Sequence, residues 1–334
     1  MALFTLGILL FLLIAADIIT TTLSTRGGGM LTNAVTRSVW ALFFRAAGRQ
    51  GRSGLLQYAG QFVVLSVLLS WILGLWASLF LLFASHPGSI VDDATKLPAD
   101  LWETFYYAGF TLSTLGIGDY APAADGWRVL TSAAAFCGLT FITAAITYIV
   151  PVLSAVSLQN QLSLLVSSMG RTPQEILVNS WNGADFSSFY DNASELRQML
   201  VQHTLNHHAY PVIQCFHNCD AGKNAVPAVV TLNEVLRLLQ SVSAEIPQDR
   251  LKRQMLGSAV TRHLELQRAS YLGRTRPSVG EGDVDLTPLA AAAIPLDEDR
   301  VVIAAPDERR RLLSALLESD GWSWRDVYGE SAGN

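Results

Sequence analysis

The sequence predicts an all-α membrane protein with a mainly helical soluble tail, and three observations lead to that class. Half of the 334 residues are apolar and only 15% are charged, against about a quarter in an ordinary soluble domain. The deficit is local, because no charged side chain occurs from Gln61 to Ser85 or from Val129 to Gly170. Either stretch exceeds the roughly 18 apolar residues that carry a helix across a bilayer. The remainder, Gln159 to Asn334, holds 16 of the 23 Lys and Arg and 21 of the 28 Asp and Glu, which is a normal soluble composition.

The first element is apolar from Ala2 to Ala16, meets Asp17, and continues through Ile18 and Ile19 into a Thr-rich run ending at Thr25. A cleaved signal peptide carries Lys or Arg ahead of its apolar part, and none is there, so residues 1–24 read as a retained transmembrane helix. Asp17 is costly in lipid and is expected to sit near the membrane edge or to face protein. Residues 25–57 follow as a basic segment with Arg26, Arg37, Arg45, Arg49 and Arg52, and no acid occurs from Ser24 to Gly60. Between the second and third apolar stretches the balance reverses: Asp92, Asp93, Asp100, Glu103, Asp119 and Asp125 face only Lys96 and Arg128. Basic residues stay on the cytoplasmic side of short loops. This multi-pass chain is therefore expected in the cell membrane with its N-terminus outside and everything after about Leu158 inside. Within Ala34–Gly51, the residues Val35, Val39, Trp40, Leu42 and Phe43 interleave with Arg37, Arg45 and Arg49, as in an amphipathic helix on the inner lipid surface.

The outer loop has structure of its own. Asp100 with Glu103 three positions on is a capping-box pattern, and it opens a helix over Leu101–Ser113. About a dozen residues cannot span a bilayer, so a re-entrant half-helix is expected, whose C-terminal carbonyls point partial negative charge into the membrane. Ser113-Thr114-Leu115-Gly116-Ile117-Gly118-Asp119 comes next. Glycine accepts backbone angles closed to other residues, and alternating such angles turns successive carbonyls to one side. Four such strands around an axis give stacked rings of oxygen that replace the water around a dehydrated K+, with the Thr114 hydroxyl as the innermost ring.

This segment resembles the pore loop of potassium channels, whose signature is Thr-Val-Gly-Tyr-Gly-Asp. The resemblance covers about Gln61 to Leu158, within a pore domain placed at 58–158. It implies a pore module of outer helix, pore helix, filter and inner helix, preceded here by an extra N-terminal membrane helix and followed by the cytoplasmic tail. On that match Thr114, Leu115, Gly116, Ile117 and Gly118 form the selectivity filter. Ser113 stands at the family's first Thr, Asp119 at the outer mouth, and Tyr106 and Tyr107 at the pore-helix positions that brace the filter. Leu115 for Val is a mild departure, because the backbone oxygen binds the ion. Ile117 replaces the central aromatic residue and cannot hydrogen-bond to the pore helix, which leaves a weakly selective cation channel as an alternative. The same glycines also fit the dinucleotide pattern G-x-G-x-x-A. Pro122 and Gly126 interrupt the helix that motif needs, however, and no acid falls between Asp125 and Glu175, so that reading is set aside.

The third apolar stretch, Trp127 to about Leu158, reads as the inner helix. Gly138 marks either close helix packing or, by the resemblance, a gating hinge. Pro151 removes a helix hydrogen bond and is expected to kink the segment; Val150-Pro151-Val152 resembles the Pro-Val-Pro bend of voltage-gated potassium channels. Thr140, Thr143, Thr147 and Ser154 recur at roughly helical spacing and are candidates to line an inner cavity. A ring of four filters from a chain with one pore loop requires a homotetramer. No apolar span carries regularly spaced Arg, so no voltage sensor is expected. The function read from these features is passive K+ conduction, without enzymatic activity, cofactor or nucleic-acid partner, the partners being other copies of the chain, lipid and the permeant K+. A membrane-anchored sensor or scaffold with a vestigial pore is the alternative from another class.

In the tail, residues 159–334, helix starts are legible at Thr172-Pro173-Gln174-Glu175, Pro247-Gln248-Asp249 and Pro306-Asp307-Glu308. Asp191–His207 and Leu232–Val242 read as amphipathic helices, and Gly273–Asp285 as a linker. The gating stimulus and any ligand of the tail are not legible. Three cysteines suggest no disulfide framework. His203, His207, His208, Cys215, His217 and Cys219 lie at short spacings that can serve zinc, although the spacing fits no standard finger.

Overall fold

The structure, a computed structural model, describes residues 1–23, 27–270, 284–297 and 308–329. The expected features at Ser24–Arg26, most of the 273–285 linker, and the helix start at Pro306-Asp307 fall outside the described residues. Those residues are overwhelmingly helical and divide into two compact units. Three helices, Ala2–Leu23, Leu56–Ala84 and Asp125–Met169, are long and apolar enough to cross a membrane. The all-α membrane class is therefore what the chain adopts.

The first unit comprises Met1–Val39, Gln61–Leu153 and Ala209–Val212. Helix α1 (Ala2–Leu23) is followed by α2 (Met30–Ala46) and α3 (Ala59–Ala84). Helices α1 and α3 run antiparallel in close contact. A Cβ on Gly7 would come within 2.9 Å of Leu82 and 3.0 Å of the Ser78 carbonyl, and one on Gly74 within 2.7 Å of Ile14. Between two apolar helices in lipid there is little hydrophobic gain, so close approach at small residues supplies the packing energy.

Asp17 faces protein, one of the two placements the sequence allowed. The side chain is 6% exposed. It accepts from the Leu31 N–H at 2.7 Å and the Thr32 N–H at 3.2 Å, the Thr32 hydroxyl at 2.6 Å and the Trp71 indole at 3.0 Å. Leu31 and Thr32 are in the first turn of α2, whose N–H groups have no partner within the helix. Asp17 thus caps α2 from a different helix. Thr21 completes the joint, donating to the Thr32 hydroxyl at 3.0 Å and accepting from the Gly29 N–H at 2.8 Å. The helix expected over Ala34–Gly51 accordingly starts earlier, at Met30.

After α3 the chain forms a hairpin that periodicity did not reveal. Strands β1 (Ile90–Asp92) and β2 (Tyr120–Pro122) pair antiparallel, Val91 opposite Ala121, and hold between them α4 (Leu101–Leu112). Helix α5 (Asp125–Met169) follows as one helix of 45 residues with Pro151 inside it. It continues past the expected end near Leu158, since no charge, Gly or Pro interrupts Val152–Met169.

The second unit comprises Trp40–Gly60, Ser154–His208 and the chain from Ile213 onward. Part of the basic segment therefore belongs to the same compact body as the tail. The Gly51 N–H donates to the Gly321 carbonyl at 2.8 Å, and Arg52 pairs with Asp326 at 2.8 Å. The tail contributes α6 (Pro173–Ser180), α7 (Ser187–Ala209), α8 (Ala225–Leu238), α9 (Arg250–Ser270), α10 (Thr287–Ala291), α11 (Glu308–Ser319) and α12 (Trp324–Tyr328). Helix α6 begins where read, with Thr172 accepting from the Glu175 N–H at 3.1 Å. Helix α8 starts earlier than Leu232 because Asn224 caps it, accepting from the Val226 N–H at 2.9 Å. Apart from Val226 and Arg237, α8 is buried along its whole length, the mark of a helix enclosed by others. The core of α6, α7, α8, α9, α11 and α12 packs together in one cluster.

Candidate functional site

The geometry of the first unit converges on the short run after α4. The helix is held at its N-terminus by a complete capping box: the Asp100 carboxylate accepts from the Glu103 N–H at 2.8 Å, and Glu103 accepts from the Asp100 N–H at 2.7 Å. Trp76 of α3 stacks on Phe105 at 4.5 Å and donates its indole N–H to the Phe105 carbonyl at 2.8 Å. Gly109 makes room for that ring, since a Cβ there would lie 2.7 Å from Trp76. On the other side the Tyr107 and Thr131 hydroxyls are 2.8 Å apart, which ties α4 to α5.

The C-terminus of α4 is closed by a Schellman arrangement. The Thr114 N–H donates to the Thr111 carbonyl at 3.1 Å and the Leu115 N–H to the Phe110 carbonyl at 3.0 Å. That motif needs a left-handed residue just past the cap, and Thr114 takes the place with φ of 59°. A β-branched residue at positive φ is strained and persists only where its surroundings fix it. Gly116 at 58° and Gly118 at 87° follow, so positive φ recurs at every second residue. This alternation is what the paired glycines led us to expect.

The run then returns to the hairpin it left. The Asp93 N–H donates to the Asp119 carbonyl at 2.9 Å, and the Ala99 N–H, one residue before the α4 cap, donates to the Ile90 carbonyl at 3.0 Å. Both ends of the Asp100–Asp119 excursion are thus fastened to one small sheet. Ser113 to Asp119 is exposed throughout, including apolar Leu115 and Ile117.

The two tyrosines separate. Tyr107 is buried, turned toward Thr131, and set edge-on to Phe83 at 5.2 Å. Tyr106 lies edge-on to Phe110 at 5.2 Å and Tyr120 at 6.1 Å, and its hydroxyl interacts with Asp119. Gly138 is closely packed: a Cβ there would come within 1.9 Å of the Leu112 carbonyl oxygen. Thr140, Thr143 and Thr147 are exposed, and each hydroxyl bonds the carbonyl four residues back at 2.8, 3.0 and 2.9 Å, as Thr in an apolar helix does.

Sequence reasoning missed the supports contributed from α3 and α5. Trp76 and Thr131 carry no local signal, since their partners lie on other elements.

The zinc option, which the sequence left as the lesser reading, finds no support. Among the described residues no group of three or more His, Cys, Asp or Glu is placed to hold a metal ion. The six side chains part company. His203 and His207, one helical turn apart on α7, join His263 of α9, a residue too distant in sequence to have been grouped with them. Their ring centroids are 5.3 to 6.3 Å apart. The His263 Nδ1 is 3.0 Å from the Thr204 hydroxyl, so it is already engaged. Burial lowers the His203 pKa to about 4 and, with His203 beside it, that of His207 to about 3; His263 is also well below its ordinary value from burial. His208 is exposed and takes no part. His217 is elsewhere, stacked on Trp322 at 5.4 Å, its Nε2 2.6 Å from the Gly51 carbonyl and its Nδ1 3.2 Å from the Asp320 carboxylate. Burial alone would lower its pKa, but the Asp320 carboxylate and the Gly51 carbonyl outweigh that and raise it. Cys215 is buried with its thiol pushed up by burial, and Cys219 is partly exposed; both are free.

Comparison with known proteins bears on the same stretch. Residues 66–155 match the family model described as Ion channel. This segment is similar to an ion-channel domain. It contains most of α3, all of the Asp100–Asp119 excursion, and α5 as far as Ala155. Over nearly its whole length the chain is similar to the uncharacterized membrane protein YdjJ of Bacillus subtilis (strain 168). The two are 26% identical over 331 residues, which cover 98% of this chain and 96% of the relative. No solved structure matches.

Proposed function

We propose that the chain is one subunit of a homotetrameric, potassium-selective channel that conducts K+ passively through Thr114–Gly118. The observation that carries this is the alternation of positive φ at Thr114, Gly116 and Gly118 in a channel domain's re-entrant segment. Alternating handedness turns successive carbonyls toward one side, where four strands supply the oxygen rings that replace a hydration shell. The Thr114 hydroxyl adds the innermost ring and Asp119 a negative outer mouth. An exposed strand of irregular backbone is tolerated at membrane depth only when buried in protein or lining an aqueous path, and a ring of identical subunits provides both. No covalent chemistry and no cofactor enter this mechanism. The charge pattern around the spans supports an orientation with the N-terminus outside and the tail in the cytoplasm.

Ile117 favours a second reading, a weakly selective cation channel, because an aliphatic side chain offers no hydrogen bond with which to brace the filter. Reversal potentials in mixed K+ and Na+ separate the two readings. Flux into liposomes reconstituted with the full chain tests both. K+ entry that Gly116→Ala abolishes is the expected result. Absence of K+ entry, or entry that survives Gly116→Ala, would leave the sensor or scaffold reading in its place.

A further inference from the structure

The second unit contains a cleft of about 590 Å³ that shares no residue with Thr114–Gly118, within the range of small-molecule sites. Its walls come from five separate pieces of chain: the loop at Arg52, the end of α5 with the Gly170–Thr172 turn, the Asp220–Lys223 turn, α8, and α12. Four cationic side chains line it, Arg52, Arg171, Lys223 and Arg325, against two acids, Asp220 and Asp326.

Both acids are already committed. Asp326 pairs with Arg52 and accepts from the Ser323 N–H at 2.9 Å and hydroxyl at 2.8 Å, which caps α12. Asp220 accepts from the Gly222 N–H at 3.0 Å and faces Lys223 at 3.5 Å. Arg171 and Arg325 have no ion pair among the described residues, and both are exposed. The cleft therefore carries an excess of two positive charges, concentrated in two guanidinium forks whose planar donors match phosphate oxygens. The rest of its lining is mixed, the hydroxyls of Ser163, Ser167, Thr172 and Thr231 beside an apolar patch of Leu164, Pro227 and Ala228. A bare anion would leave most of that volume and the apolar patch unused.

We propose that this cleft binds a soluble organic phosphate of nucleotide size, its phosphates held between Arg171 and Arg325 and its organic part on the Leu164–Pro227 wall. The site is independent of which ion the pore carries.

Isothermal titration of the full chain in neutral detergent tests it, with ATP, inorganic phosphate and dihexanoyl phosphatidate as probes. ATP is expected to bind saturably, more weakly as salt rises. Arg171→Ala with Arg325→Ala is expected to weaken binding at least about tenfold, the effect of losing two charge-assisted contacts. Arg171→Lys with Arg325→Lys keeps both charges and the fold, and should lose less than the alanine pair. Lack of saturable ATP binding by the unsubstituted chain overturns the proposal. So does binding that the alanine pair leaves unchanged. Equal affinity for inorganic phosphate would show that the organic part is not recognised, and tighter capture of phosphatidate would assign the cleft to a lipid headgroup; either also overturns it.

Discussion

Replacing Asp17 is the most informative perturbation of the membrane unit, because one buried side chain joins α1, α2 and α3. Its carboxylate receives two backbone N–H groups from the first turn of α2, the Thr32 hydroxyl and the Trp71 indole. Asp17→Ala removes the acceptor and leaves the donors. An orphaned buried donor costs about 1–3 kcal/mol, and loss of a helix N-cap about 0.5–2 kcal/mol. The Thr32 hydroxyl can rotate toward Thr21, so it is excluded from the count. The Leu31, Thr32 and Trp71 N–H groups together then give a destabilisation of roughly 3–5 kcal/mol after partial relaxation. Asp17→Asn keeps one acceptor oxygen and should lose about half as much. The assay is reversible unfolding in mixed micelles, followed by circular dichroism. Trp71→Phe supplies the second arm of a double-mutant cycle, with an expected coupling to Asp17→Ala of about 1–2 kcal/mol. A loss below about 1 kcal/mol for Asp17→Ala, or no coupling to Trp71, would refute the idea that Asp17 is the joint.

Two further outcomes follow from particular contacts. Gly138→Ala puts a methyl against the Leu112 carbonyl, where the space is 1.9 Å; overpacking of this kind costs about 1–3 kcal/mol, and unfolding unchanged from the parent protein would contradict the packing reading. Acid should destabilise the tail through His203, His207 and His263. Their pKa values are lowered on folding, so stability is full above the unfolded value near 6.5 and falls as pH drops toward the folded values. At pH 5.5 His203 and His207 each cost about 1.4 kcal/mol, and His263 adds to the loss in the same direction. Urea unfolding at pH 7.5 and 5.5, with and without His263→Gln, measures this, and an acid loss that the substitution does not reduce would count against it.

The elements that the sequence disclosed are those whose signals are local. The Asp100–Glu103 box, the Thr172 cap and the charge-free spans each lie within one stretch of chain, and the structure has them in place. The Gly116 and Gly118 pair was readable because positive φ is a single-residue property. The partners of Asp17, Leu31, Thr32 and Trp71, were not legible because they belong to other elements, and a lone acid in an apolar run says only that it needs donors. Thr114 was read for its hydroxyl and not as a left-handed helix stop, a place that usually falls to glycine. The six His and Cys residues, for which zinc was only the lesser reading, separate for the converse reason. Nearness in sequence suggested a cluster, whereas the fold sends His217 to Trp322 and brings in His263 from α9.

The missing side chain at residue 138 has a mechanical consequence. The inner helix rests, with nothing interposed, on the last carbonyl of the pore helix, only two residues upstream of Thr114. Any displacement of α5 at that point therefore bears directly on the peptide that ends α4 and from which Thr114–Gly118 is suspended. Under the conduction proposed above, motion of α5 would be felt at the filter without any relay between them.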